Sequence, residues 1–249
     1  MSTAENPPSE VVAQMVADPH LPSGAGERFA LYGVMGLPFA SGHYLTLRDT
    51  PAASIGPAFR SIWHRDPGGR WTIFSTISPD LSCPRYWGAG SCSEVVPSIE
   101  VAWTGPWSLR VRMNGRLDWQ FELGRSFATL LLSRIGRALP GAAWRSDALL
   151  AAMGPLAGSM LGAGKFRLQG GAANGQHFRA APVQIWPITE SRAVLDGVDF
   201  GSTGPVAQQA RRGGLWLPQR GFFFAGAVQF EALDSARHVV TTAGLEPAG

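Results

Sequence analysis

Within residues 94–123, apolar and polar side chains trade places one by one, with two short interruptions. Val95, Ile99, Val101 and Trp103 alternate with Glu94, Ser98, Glu100 and Ala102. Leu109, Val111 and Met113 alternate with Arg110, Arg112 and Asn114, and Leu117, Trp119, Phe121 and Leu123 alternate with Arg116, Asp118, Gln120 and Glu122. Successive side chains of a strand point to opposite faces, so the stretch predicts three antiparallel strands with one apolar and one charged face. A three-residue loop at Gly105-Pro106-Trp107 sets Trp103 opposite Leu109, Val101 opposite Val111 and Glu100 opposite Arg112; a two-residue loop would mix the faces. A bulged turn at Met113-Asn114-Gly115 would set Arg110 opposite Asp118 and Leu109 opposite Trp119.

Shorter segments of the same kind flank this meander. Residues 29–36 and 43–49 read as strands. Residues 58–65 and 70–78 read as a hairpin around Asp66-Pro67-Gly68-Gly69, and a four-residue loop there sets His64 opposite Trp71 and Ile62 opposite Ile73. Residues 79–93 read as a long loop. After the meander the period becomes helical: one helix runs from Ser126, a good N-cap, to Pro140-Gly141. A second starts at Ser146 or Asp147 and should break at Gly154-Pro155, with a third short helix reaching Leu161. Strands resume at 165–170, 176–188, 192–199 and 222–231, with a hairpin turn at Asn174-Gly175 and one or two helical turns within 205–212. The pattern predicts a mainly β fold: an antiparallel barrel or strongly curved sandwich with a helical insert at about 126–163. Closure would remove the exposed edges. The expected organisation is a single domain, 27–242, between flexible segments 1–26 and 243–249.

Composition removes several classes of function. The 21 basic residues exceed the 18 acidic ones by only three, Lys165 is the only lysine, and no basic run goes beyond Arg211-Arg212. That balance argues against nucleic acid as a partner. Residues 148–164 carry no charge, but a helix of that length spans about 25 Å against a hydrocarbon core of roughly 30 Å, and Gly154-Pro155 interrupts it. No stable membrane insertion is expected, and Gly154, Gly158 and Gly162 predict close packing of this helix within the protein. No basic stretch followed by an apolar core opens the sequence, so a cytoplasmic location is expected. Cys83 and Cys92 are then expected to be free thiols, and with no His nearby they form no metal site. The phosphate-binding loop, nucleophile-elbow, zinc-protease and dinucleotide motifs are all missing, so no cofactor is expected. The oligomeric state is not legible.

Four groups of residues could carry chemistry. On the charged face of the meander, Glu100 or Asp118 could act as a general acid or base beside Arg110 and Arg112 if that face lined a cavity. Otherwise the face is solvated and carries cross-strand ion pairs. His64, at a strand end, could shuttle a proton, and His43 offers the same choice. A buried Lys165 could form a Schiff base, although a lone lysine also follows from an arginine-biased composition. Nine tryptophans are more than a core of this size needs, and they suit the wall of an apolar cavity. Trp63, Trp71, Trp103, Trp119 and Tyr86 are the expected wall, with Met153 and Met160 of the helical insert as a lid and Arg110 as a polar contact.

Three pieces of the chain are shared with a known group: Ser61-Ile62-Trp63-His64-Arg65-Asp66, the Trp-rich meander at 99–121, and Asn174-Gly175-Gln176 before a strand. In these, and in the order of β block, apolar helical piece and second β block, the chain resembles the lipocalin-like superfamily that includes carotenoid hydratases and related pericyclases. The resemblance implies a β-barrel enclosing a hydrophobic small molecule. It further implies cofactor-free isomerisation, cyclisation or hydration of an isoprenoid- or polyketide-like substrate. The alternatives are a non-catalytic carrier or sensor of such a ligand, and a membrane-surface or partner-binding protein. With catalysis, His64, Asp118 and Glu100 are the candidate catalytic residues.

Overall fold

A computed structural model describes residues 6–240. Helix α1 (Pro8–Ala17) comes first, followed by strands β1 (Glu27–Pro38), β2 (Tyr44–Ala53), β3 (Phe59–Arg65) and β4 (Trp71–Ser75). A short helix α2 (Pro84–Trp87) precedes β5 (Cys92–Val95), β6 (Glu100–Gly105), β7 (Ser108–Met113) and β8 (Leu117–Leu123). Helices α3 (Phe127–Ala138) and α4 (Asp147–Leu161) form the insert. The chain ends with β9 (Gln169–Gly171), β10 (His177–Leu195), β11 (Val198–Asp199), β12 (Arg211–Arg212), β13 (Leu215–Trp216) and β14 (Phe222–Phe230).

The main sheet runs β5-β4-β3-β2-β1-β14-β10-β8-β7-β6, and only β5 pairs in parallel. It is a curled half-barrel, and the fold is mainly β as expected. Four residues, 96–99, lead from β5 at one end of the sheet to β6 at the other, so the curl brings the two ends together. Strand β10 makes the curl possible. Its first half pairs with β14 and its second half with β8. The expectation of two strands, 176–188 and 192–199, gives way to this single long one. Pro182 and Pro187 lie where the β14 pairing shifts register and ends, as residues without an N–H to donate must.

The two faces of the sheet bury two separate cores. One gathers Val34, Leu47, Ile62, Phe74, Ile99, Val111, Trp119, Phe121, Ala193 and Phe223, with contributions from both ends of the sheet, which curls around it. Trp119 and Phe223 are completely buried there. The apolar face of the meander belongs to this core, and its charged face is turned to solvent. Val12 of α1 is 3% exposed against the same core, with Val11 and Met15 beside it. The expected mobile segment 1–26 therefore holds an anchored helix in its described part. Residues 241–249, with the expected flexible tail, lie outside the described residues.

The second core lies on the other face of β1–β4, β10 and β14, under a cover made by α2, α4, residues 163–172 and residues 206–217. Helix α4 shows how closely that cover fits. A Cβ on Gly158 would come within 2.8 Å of the Gly164 carbonyl oxygen and of Phe166 Cβ, and one on Gly154 within 3.0 Å of the Phe166 carbonyl oxygen. The expected break at Gly154-Pro155 does not occur, and α4 runs through Pro155. The helix packs this closely on both sides of the proline. Both expected N-caps are present: Ser126 forms a reciprocal box with Thr129, and the Ser146 hydroxyl accepts from the Leu149 N–H. Residues 205–212, expected to be helical, instead lead into the small hairpin of β12 and β13.

Register decides which residues share a face. The β6–β7 pairing follows the expectation: Glu100 faces Arg112, Val101 faces Val111 and Trp103 faces Leu109. At β7–β8 the turn is centred on Asn114-Gly115-Arg116, with Asn114 and Gly115 both left-handed. Arg112 then faces Asp118 and Val111 faces Trp119, two residues away from the expected pairing but with the faces unchanged. At β3–β4 the loop has five residues, and the Asp66 N–H donates to the Arg70 carbonyl. His64 therefore faces Thr72, not Trp71, and Trp63 faces Ile73. That one-residue slip puts His64 on the face opposite Trp71, whose face Trp63 now shares.

Candidate functional site

A partly open cavity of about 110 Å³ lies between the covered face of the sheet and a cover made by α2 and residues 166–168 and 215–218. Phe29, Leu31 and Met35 of β1 line it, with Arg48 and Thr50 of β2 and Phe59 and Trp63 of β3. Cys83, Tyr86 and Trp87 close it from the α2 side, and Phe178, Phe224 and Phe230 from β10 and β14. Phe166, Arg167 and Leu168 and the segment 215–218 complete the wall. Arg167 is exposed and Leu215 and Trp216 are half-buried, which places the mouth there; Trp63, Tyr86 and Phe29 are deeply buried. Its concave shape and aromatic wall are those of a small-molecule site.

The sequence builds each part of this wall locally. Alternation along β2 sends Tyr44 and Arg48 to the cavity side and Leu45 and Leu47 to the other core. Gly36 makes room for Tyr44, because a Cβ there would lie 2.0 Å from the Tyr44 hydroxyl oxygen. That hydroxyl donates to the Pro218 carbonyl oxygen at 2.7 Å, tying β2 to the far wall.

Helix α2 is fixed by a buried network at the foot of the cavity. Arg85 grips Glu27 with Nε–Oε2 at 3.0 Å and Nη2–Oε1 at 2.6 Å, the Tyr86 hydroxyl donates to Oε2, and Gln176 Nε2 donates to the same oxygen at 3.4 Å. Burial pushes the Glu27 carboxyl up, but the combined donors and the Arg85 charge hold it below its ordinary value. Burial first, and then Glu27, push the Tyr86 phenol far up. Burial likewise raises the Cys83 thiol. Cys83 and Cys92 are both free thiols.

Arg48 and Arg167 are the only charged side chains of the wall, and no carboxylate or His lines it among the described residues. Arg48 Nη1 donates to the Val34 carbonyl at 2.5 Å and the Leu47 carbonyl at 3.0 Å, and Nη2 to the Met35 carbonyl at 3.2 Å. Its Cζ lies 5.1 Å from the Trp63 ring centre and 5.4 Å from that of Phe224. Burial lowers its pKa to about 10, which leaves it charged at neutral pH.

Of the residues singled out in the sequence, Trp63 and Tyr86 line the cavity, and Trp71 belongs to the same core without reaching the wall. Met153 packs against that core from α4, and Met160 is half-buried; neither is on the wall. Trp103 and Trp119 belong to the other core, across the sheet. Arg110 and Asp118 pair on the solvent face, Nε–Oδ1 2.8 Å, and the bond from Arg110 holds the Asp118 carboxyl below its ordinary value. Glu100 is exposed on the same face. His64 Nε2 lies 2.9 Å from His43 Nδ1, both rings stack on Phe200, and burial, then His43, lower the His64 pKa to about 4. The three candidate acid–base groups are thus not brought together, and none reaches the cavity. Lys165 Nζ lies 4.7 Å from the Trp216 ring centre, and Lys165 is exposed.

Among the described residues no group of three or more His, Cys, Asp or Glu could hold a metal ion, and no helix is long and apolar enough to cross a membrane. The sequence reading passed over Arg48. The available signal was a charged residue at a core-facing position in Tyr44-Leu45-Thr46-Leu47-Arg48, a strand whose two faces are both buried.

No protein-family model matches the chain, and no curated protein matches it. Among solved structures, acetoacetate decarboxylase from Legionella pneumophila superposes at a TM-score of 0.37 with 9% identity, over 99% of each chain. A superposition this loose carries no argument about activity, and the lipocalin-like reading extends no further than the curled β-sheet.

Proposed function

We propose that the protein binds an apolar small molecule in the cavity between sheet and helical cover, and that it acts as a carrier or sensor of that ligand. The observation that carries this reading is the aromatic wall around a partly open, concave cavity. Cofactor-free isomerisation, cyclisation or hydration of an isoprenoid- or polyketide-like substrate is the catalytic alternative. It would need a proton donor or acceptor at the ligand. The titratable groups on the wall are two arginines, a thiol whose pKa is raised, and a phenol committed to Glu27. That set favours holding a ligand over transferring protons to it.

The test is titration with the neutral apolar fluorophore N-phenyl-1-naphthylamine, alongside native mass spectrometry of protein purified from its own host. Saturable one-to-one binding is expected, weakened in Trp63→Ala and unchanged in Trp119→Phe, which alters only the other core. Absence of saturable binding, or equal loss in both variants, refutes the reading. Turnover of an isoprenoid substrate that vanishes in His64→Ala or Asp118→Asn would establish the catalytic alternative.

A further inference from the structure

Arg48 is not explained by an apolar binding site. Its side chain is 9% exposed and forms part of the cavity wall. The next residue, Asp49, points to the other face, where the Tyr32 hydroxyl and Arg60 Nε hold its carboxylate at 2.6 and 2.7 Å. A buried cation with no counter-charge is expensive to maintain, and the three carbonyls and two aromatic rings around Arg48 offset only part of that cost.

The way its donors are used shows what is missing. A guanidinium has five N–H donors. Nη1 donates to two carbonyls and Nη2 to one, and Nε has no acceptor among the described residues. Nε and Nη2 form one edge of the guanidinium, the edge that Arg85 presents to Glu27, Arg116 to Asp196 and Arg179 to Asp147 elsewhere in this chain. In each of those cases it grips both oxygens of a carboxylate. Beside it, the indole N–H of Trp63 is buried with no oxygen or nitrogen acceptor and only the Cys83 thiol near it.

We propose that the ligand is an apolar monocarboxylic acid whose carboxylate docks on the Nε/Nη2 edge of Arg48, with its body lying along the aromatic wall toward Arg167 and Trp216. This inference rests on the ligand-binding reading above and names the class of ligand. An alcohol can accept one bond from the Arg48 edge but brings no counter-charge and cannot grip it with two oxygens, so the site favours the acid. Arg167 is exposed at the mouth, where it speeds the approach of an anion and contributes little to selectivity.

The experiment compares dodecanoate with dodecan-1-ol, each displacing N-phenyl-1-naphthylamine from the full-length protein. The wild type should bind the acid roughly tenfold or more tighter than the alcohol. Arg48→Met should abolish that preference with the alcohol's affinity retained, Arg48→Lys should keep part of it, and Arg167→Gln should keep all of it. Circular dichroism checks that each variant is folded; if Arg48→Met is not, the wild type and Arg167→Gln decide. Equal affinity for acid and alcohol in the wild type overturns the inference and leaves the cavity reading standing. A preference that survives Arg48→Met, or disappears in Arg167→Gln, also overturns it. If the fluorophore and both chains fail to bind, both readings fall.

Discussion

Lowering the pH from 7 to about 4 should destabilise this protein through His64, before most of its carboxylates titrate. The two imidazoles, His43 Nδ1 and His64 Nε2, sit 2.9 Å apart with ring centres 5.2 Å apart, and His43 lies flat on Phe200 at 3.9 Å. One ring must donate and the other accept, so the contact exists only while at least one ring is neutral. Burial, with His43 adding to it, lowers the His64 pKa from 6.5 to about 4, against the opposing pull of Asp66 and Asp196. The unfolded chain takes up this proton near pH 6.5, whereas the folded chain does not until about pH 4. Stability is therefore complete above the unfolded value and is lost as the pH falls from 6.5 to about 4. At about 1.4 kcal/mol per pH unit, that interval corresponds to about 3 kcal/mol, a substantial part of the roughly 5–15 kcal/mol typical of a folded domain. The assay is urea unfolding of the wild type and His64→Gln across this range. Glutamine stays neutral and its amide can still bond to His43. Stability of the wild type relative to the variant should fall by about 3 kcal/mol on acidification. Parallel stability curves for the two proteins would refute the reasoning.

Gly158→Ala should destabilise the fold by about 1–3 kcal/mol in urea unfolding, although alanine is the better helix former, because its Cβ meets the Gly164 carbonyl oxygen and Phe166 Cβ at 2.8 Å. A neutral or stabilising effect would mean that α4 is not pressed against residues 164–168. Glu27→Gln should lower the thermal midpoint and loosen α2, because the amide keeps one acceptor oxygen but loses the charge paired with Arg85 and turns an NH2 donor toward one of its N–H groups, at a cost of about 2–4 kcal/mol. Because the Glu27 carboxyl is held below its ordinary value, the wild-type advantage should be present above about pH 4.5 and fade as the pH falls through the lowered folded value, read as convergence of the two midpoints.

Features carried by neighbouring residues were legible without the structure. The alternation of 94–123 specified three strands with one apolar and one charged face, and it kept those faces even where the β7–β8 pairing slid by two residues. Ser126 and Ser146 marked their helix starts because a cap needs only residues three positions apart. Less survived where one residue more or less in a loop changes the outcome. A five-residue turn in place of four moved His64 across the sheet from Trp71, and with it a proposed catalytic residue. At Gly154-Pro155 the local preference for a break yielded to tertiary contact along the glycine face.

The sequence by itself determined the kind of protein: mostly antiparallel strands with a helical insert and a surplus of aromatic rings. All of these depend on residue type and on period, properties a chain has before it folds. Only the tertiary structure decided which rings face a cavity and which fill a core. Trp63 and Trp119 are indistinguishable as alternating strand residues, yet one lines the cavity and the other is sealed across the sheet from it. The cavity wall joins β1, β2, β3 and α2 to β10, residues 215–218 and β14, segments separated along the chain by most of its length. Nothing in the local pattern specifies that meeting. It follows from the bend of β10 and the curl of the sheet, which close one apolar face on itself and leave the other to be covered by helices around Arg48.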